Sequence, residues 1–498
     1  MKLTVETKNG PVKGFEQGGV RVFKGIPYAE GYTQQGRFRS ARPCGKHNEP
    51  FCADHFPPAA FQLPKKVGGV SEGATMAEES LCVNVWTPDT KRQNLPVVVW
   101  LYGGAFVSGD CSDDMYDGVR LAEEHELVVV TLNYRINALG FLDFSSFLPD
   151  AESNVGLKDQ TLALEWIYEN IEAFGGDKEN ITLSGQSAGG FSVLALLSAS
   201  SARKFITKAV AMSPYPISVN TKEQAAAHAL RFLEILGLSP KEAGELYNIP
   251  GSMLAIAAKT LEEEICAQCG FDFAFTPVID GEFLPCSPIK AAQSAGNRVI
   301  PLVIGTVEDE GSLYALTPVP LFPTTKETIR KFLDSNPDFE SKGIQEYYSR
   351  VEEKRRMDKM GGDILFGVPG LLYADNYSRH SPVWVYRFTY YSLGLKLKKL
   401  YCMHGTDVPF AFNNLKCTIA KNALKLTPVK IVPNGIKREF SAFIAEFAKT
   451  GRANFEPYTE KRRVSMEFGR KIGERIHPLC DLTEEFKKTG YFRSKLEL

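Results

Sequence analysis

The chain has no long apolar run: stretches such as "LPVVVWL" extend over about seven residues, against the ~20 that a bilayer-spanning helix needs. It has no excess of charge of either sign. Its 58 Lys and Arg against 59 Asp and Glu leave a net charge of −1, and both signs are mixed along the chain. That balance gives no footprint for nucleic acid or for an anionic membrane. No internal repeat or low-complexity segment is present. The first residues, "MKLTVETKNGPVKGF", are polar and alternating and lack the apolar core of a secretory leader, so the expected location is cytoplasmic. Cysteine is present without a pattern. Of Cys44, Cys52, Cys82, Cys111, Cys266, Cys269, Cys286, Cys402, Cys417 and Cys480, only Cys266 and Cys269 form a C-x-x-C pair. Neither a second pair nor a strand-to-helix context accompanies it, so free thiols in a reducing compartment are expected rather than a zinc or redox motif.

What is present is the make-up of an ordinary globular protein. Hydrophobic residues at 44% and charged ones at 23% supply a large core. The N-terminus reads as hairpins, with "TVETKNGPVKGF" broken at Asn9-Gly10 and "FEQGGVRVFKG" broken at Gly18-Gly19. Apolar runs of the buried-strand type follow at 95–102, 126–134, 180–185, 208–214, 299–306 and 381–389. Helical patterns such as "QTLALEWIYENIEAFGG" separate them. Strands apolar on both faces, alternating with helices, predict an α/β fold with a large, mostly parallel sheet flanked by helices. The segment at about 315–375 is charged and helical. It reads as an insertion over the active-site edge of a single domain spanning 1–498, large α/β domains being known at this length.

The stretch "ITLSGQSAGGFS" at 181–192 carries the first chemical signal. G-x-S-x-G alone is weak, but here Gly185, Ser187 and Gly189 stand between a β-branched strand and a helix of small residues. A sharp strand-to-helix turn needs glycine where side chains would collide, and it lifts the serine hydroxyl to the sheet's C-terminal edge. The following helix aims its free N–H groups at the same place.

A serine hydroxyl needs a base before it attacks. His380 precedes the strand at 381–389 and so lies at the wrong end; His477 reads as near the end of a C-terminal helix. His404, in "YCMHGTDVPF", follows that strand by a loop and is the preferred base. For the acid that orients the imidazole, "VIGTVEDEGSLY" offers Glu308, Asp309 and Glu310, and position does not choose among them. "VVVWLYGGAF" ends another strand in Gly103-Gly104-Ala105, where bare backbone N–H groups suit an oxyanion. The four pieces converge on one sheet edge.

In these motifs and their order the sequence resembles the type-B carboxylesterases, a family of α/β-hydrolases that includes cholinesterases and bacterial carboxylesterases. The likeness covers nearly the whole chain, through "VRVFKGIPYAE", "EESLCVNVWTP", "LNYRINALGFL", "FTPVIDGEFLP", "DEGSLYAL", "HGTDVPFAF" and "FAKTGRANFEPYT". It implies an α/β-hydrolase fold and a serine carboxylesterase acting through Ser187, Glu310 and His404, so that the resemblance, not the spacing, selects the acid. The oxyanion donors it implies are the N–H groups of Gly104, Ala105 and Ala188. The expected substrate is a small ester, and no metal or organic cofactor is called for. A lipase for longer-chain acylglycerols is the neighbouring alternative. A non-catalytic ligand-binding or adhesion relative is the alternative of another class, and the filled triad positions argue against it.

The departures from the family are specific. The disulfide of secreted members would fall at Ala60 and Ser80, where no cysteine stands. The loop "FQLPKKVGGVSEGATMA" has no tryptophan for a quaternary ammonium and brings Lys65 and Lys66 instead, which argues against choline esters. Tyr102 stands where many esterases have histidine. Gln186 replaces the usual glutamate beside the nucleophile, removing a charge that would stabilise a cationic histidine, while Asp407 offers one nearby. Arg37 with Glu78, and Arg135 with Asp159, match the family's buried ion pairs. The alternation "FDFAF" at 271–275 reads as a core strand, with Phe271 and Phe273 as acyl-pocket candidates by resemblance.

Overall fold

Each of the six apolar runs folds as a strand. They are β1 (Leu95–Leu101), β2 (Val128–Leu132), β3 (Gly176–Gln186), β4 (Lys208–Met212), β5 (Leu302–Val307) and β6 (Val383–Phe388). The protein is described by a computed structural model covering residues 3–498 apart from 34–35, 65–68, 71–72, 91, 270, 295, 297, 317–325 and 425–431. Lys65 and Lys66, and 317–325 of the expected insertion, lie outside the described residues, as does the side chain of Cys269. The residues group into two compact units, each built from separated segments. The first comprises Met1–Ala209, Asn220–Glu262 and Ala274–Pro285; the second comprises Val210–Val219, Glu263–Phe273 and Cys286–Leu498.

In the first unit β3, β1 and β2 lie side by side in that order, all parallel, with Val99 paired to both Leu183 and Val130. Every residue of β2 is buried, which is why the strand reads as a continuous Val-rich run rather than an alternating one. The sheet continues through the antiparallel strands Cys82–Pro88, Val20–Pro27 and Phe15–Gln17. The hairpin expected at Asn9-Gly10 is present, pairing Thr4–Thr7 with Gly10–Lys13. Helix α1 (Val155–Asn170) runs into a 3-10 turn at Ile171–Phe174 and stops at Gly175, whose φ of 89° only glycine adopts freely. Two ion pairs hold this unit. Arg135 meets Asp159 through Nε at 2.7 Å with both side chains fully buried. Arg37 pairs with Glu78 and also donates to the Leu246, Tyr247 and Ile249 carbonyls, so its guanidinium is satisfied throughout.

In the second unit the order runs β4, β5, β6, then Val464–Phe468 and Ile472–Ile476. β5, β6 and Val464–Phe468 are mutually parallel, and Ile472–Ile476 pairs antiparallel to Val464–Phe468. That pair corrects the reading of His477, which follows an edge strand rather than closing a helix. Phe271, Phe273 and Phe275 are buried as expected, but their segment is a packed loop, not a strand. Helix α2 is Ala188–Ser198, and the described part of 326–377 is mostly helical, with α3 at Glu353–Gly362 and α4 at Val368–Tyr377 joined by a π-helical turn at Asp363–Gly367.

Candidate active site

β3 ends at Gln186 and α2 (Ala188–Ser198) begins two residues later, so Ser187 alone makes the turn. It sits at φ 59°, ψ −123°, a conformation that costs a non-glycine residue about 1–3 kcal/mol. Its glycine neighbours make the turn possible. A Cβ on Gly189 would stand 2.0 Å from the Leu101 carbonyl oxygen, and one on Gly185 would stand 2.5 Å from the Gly189 carbonyl. The Ser187 side chain does not cap α2, so its hydroxyl is not spent on the helix whose N-terminus it faces.

The chain leaving β1 packs against this elbow. A Cβ on Gly103 would come within 2.7 Å of the Gln186 carbonyl oxygen, 2.9 Å of the Ser187 Cβ and 3.0 Å of the Gln186 side-chain oxygen. Gly104, Ala105 and Phe106 then take positive φ values of 126°, 56° and 62°. The Gly104 carbonyl accepts from the Val107 and Ser108 N–H groups, both at 3.1 Å. Among the described residues the N–H groups of Gly104 and Ala105 donate to no backbone carbonyl, as an oxyanion loop requires. Tyr102 anchors the loop. Its ring stacks on Tyr134 at 4.4 Å, and each hydroxyl donates to the other residue's carbonyl, at 3.1 and 2.7 Å.

The candidate acid and base lie in the second unit. Glu308, Asp309 and Glu310 follow β5 consecutively, and each has a different partner. Glu308 accepts from Arg387 at 2.8 Å and Asp309 is paired with Arg355. Glu310 alone meets an imidazole, accepting from His404 Nδ1 at 2.5 Å through Oε2. Its other oxygen accepts from the Ser213 hydroxyl at 2.7 Å and the Val307 N–H at 2.9 Å. Both oxygens are therefore fixed, and the carboxylate holds the ring with Nδ1 as donor.

Residues 1–476 match the carboxylesterase family. The para-nitrobenzyl esterase of Bacillus subtilis (strain 168) is 36% identical over 506 residues, covering 99% of both chains. This chain belongs to the carboxylesterase family. Acetylcholinesterase of Bungarus fasciatus is 30% identical over 90% of this chain and 78% of its own. Among solved structures, a thermophilic PNB esterase superposes with a TM-score of 0.86 at 33% identity, over 97% of this chain and 100% of the other. The esterase is a carboxylic ester hydrolase with the α/β-hydrolase fold.

In the esterase's second unit the expected Asp407 and an unexpected pair of aromatic rings stand near His404. Asp407 is fully buried two residues into the turn after Gly405. Its Oδ2 accepts from the Tyr386 hydroxyl at 2.7 Å, and its Oδ1 has no partner among the described residues. Burial pushes its carboxyl up to about 6; Glu310 adds to the rise, while Tyr386 and His404 oppose it. The imidazole itself is walled by aromatics, with Phe366 from the π-helical turn at 4.5 Å and Tyr314 at 5.7 Å. Phe366 lies within the π-helical turn of "GGDILFGVPG".

The acyl-pocket candidates part company. Phe273 packs on Tyr215 at 5.7 Å, and Tyr215 packs on Phe366 at 5.8 Å, so it joins the wall beside His404. Phe271 instead packs on Phe332 at 4.8 Å, among Phe339 and Tyr491. Sequence reasoning missed Ser213, Tyr386, Phe366 and Tyr314. Ser213 ends "KAVAMS" at the C-terminal edge of β4, so the sheet-edge rule alone would have flagged it; the others carry no local signal.

Proposed function

We propose that this chain hydrolyses small carboxylic esters with Ser187 as nucleophile, His404 as base and Glu310 as the acid that orients it. His404 Nε2 takes the Ser187 proton as Oγ attacks the carbonyl carbon. The N–H groups of Gly104, Ala105 and Ala188 hold the resulting oxyanion, each donor of this kind being worth about 10²–10³ in rate. The alcohol leaves with the proton from His404. Water, deprotonated by His404, then cleaves the acyl-enzyme to the free acid and restores Ser187. Charged Asp407 and neutral Gln186 set the electrostatics around the imidazolium, and Phe273 stands on the acyl side. The observation that carries the reading is the doubly anchored Glu310 carboxylate holding His404 Nδ1 at 2.5 Å. The free thiols of nine described cysteines support a cytoplasmic setting.

The test is hydrolysis of a short-chain aryl ester such as para-nitrophenyl acetate by Ser187→Ala. Turnover should fall to that of the oxyanion loop and binding alone, at least about 10³-fold; activity within tenfold of wild type would assign the nucleophile elsewhere.

A further inference from the structure

The second unit carries a surface whose chemistry the esterase reaction does not use. Helix α5 (Leu393–Leu397) is a single turn capped by Ser392, whose hydroxyl accepts from the Leu395 N–H at 3.1 Å. Gly394 and Leu395 are its buried side. Leu393 and Leu397, one turn apart and so on one face, are 51% and 64% exposed. Lys396, Lys398 and Lys399 surround them, all exposed. The Ser392 hydroxyl also donates to the Ala423 carbonyl, which ties α5 to α6 (Thr418–Ala423), where Lys416 and Lys421 are exposed as well. Between the two helices lies an apolar cleft lined by Tyr390, Leu395, Phe410, Leu415, Ile419 and Leu424.

The charge here is one-sided. Residues 390–424 contain five lysines, at 396, 398, 399, 416 and 421, and one acid, Asp407, which is fully buried. The near-zero balance of the whole chain averages this asymmetry away, so composition excludes an anionic partner that the local surface suits. Exposed leucines ringed by lysines match the layering of an anionic bilayer, apolar below and phosphate above.

We propose that the α5–α6 face docks on an anionic lipid bilayer. Leu393 and Leu397 enter the headgroup–acyl boundary and the lysines pair with lipid phosphates. The contact proposed is a peripheral one; no helix among the described residues is long and apolar enough to cross a membrane. It is independent of the ester reading, because binding is measured without substrate.

The experiment is flotation of the full chain with phosphatidylcholine vesicles, with and without one-third phosphatidylglycerol, at low and high salt. Binding is expected to the anionic vesicles only, and to weaken as salt rises. Lys396→Glu/Lys398→Glu/Lys399→Glu should lower it at least about tenfold, each lysine near such a surface being worth roughly a fivefold factor. Leu393→Ser/Leu397→Ser should lower it too. Both variants should hydrolyse a soluble short-chain ester as wild type does, which shows that they fold. No binding, equal binding to both vesicle types, or unchanged binding by the lysine variant would overturn the proposal. Should a variant misfold, the wild-type dependence on lipid charge and salt still decides.

Discussion

Replacing Asp407 by asparagine separates the cost of this carboxylate to the fold from its value to the reaction. Asp407 is fully buried, accepts one hydrogen bond from Tyr386 and leaves Oδ1 unpaired. Its carboxyl is raised from 3.8 to about 6, first by burial. Because the folded value lies above the unfolded one, folding favours the protonated form. That contribution is complete below pH 3.8 and is lost as pH rises through about 6. A shift of about two units corresponds to about 3 kcal/mol. An asparagine carries no such penalty, though its N–H group at the Oδ1 position forfeits about 1 kcal/mol if it finds no acceptor. The net expectation is that Asp407→Asn gains about 2 kcal/mol relative to wild type at pH 8, and that the gain vanishes by pH 4. Thermal melts of both proteins across this range read it directly. The same substitution removes a negative charge facing the imidazolium, so kcat/KM should fall and its acidic limb should move to lower pH. A stability difference that stays constant between pH 4 and 8 would refute the argument. An unmoved acidic limb would refute the kinetic half alone.

Three other perturbations probe the proposed mechanism. Ser213→Ala removes the 2.7 Å hydrogen bond to Glu310; bonds to charged groups are worth about 1.5–3 kcal/mol, so kcat should fall about tenfold or more with KM nearly unchanged, as steady-state kinetics will show. Gly189→Ala places a Cβ 2.0 Å from the Leu101 carbonyl oxygen; the elbow must shift, and a soluble variant of wild-type melting temperature and activity would disprove the close approach. Gln186→Glu adds a carboxylate beside the nucleophile, and the acidic limb of kcat/KM should move to higher pH; a profile identical to wild type would show that the charge at this position does not reach the base.

The sequence alone determined what short-range sterics and burial dictate. Six strands were legible because their stretches covered on both faces read as near-continuous apolar runs. The turn at Ser187 was legible because glycines at 185 and 189 stand where any Cβ would strike backbone. The misread segments, 472–477 and 271–275, are short, and so few residues carry no periodicity that distinguishes edge strand, helix end and packed loop.

Tertiary structure decided everything that depends on which distant residue arrives. Three consecutive acids are equivalent by position; Arg387, Arg355 and His404 distinguish them, and His404 lies 94 residues from the one it meets. Ser213 reaches Glu310 from 97 residues away, and Asp407 is perturbed by a burial that no local pattern predicts. The lysine-ringed face at 390–424 illustrates the same division. Its residues are plain in the sequence, but only folding buries the single acid among them and turns two leucines outward.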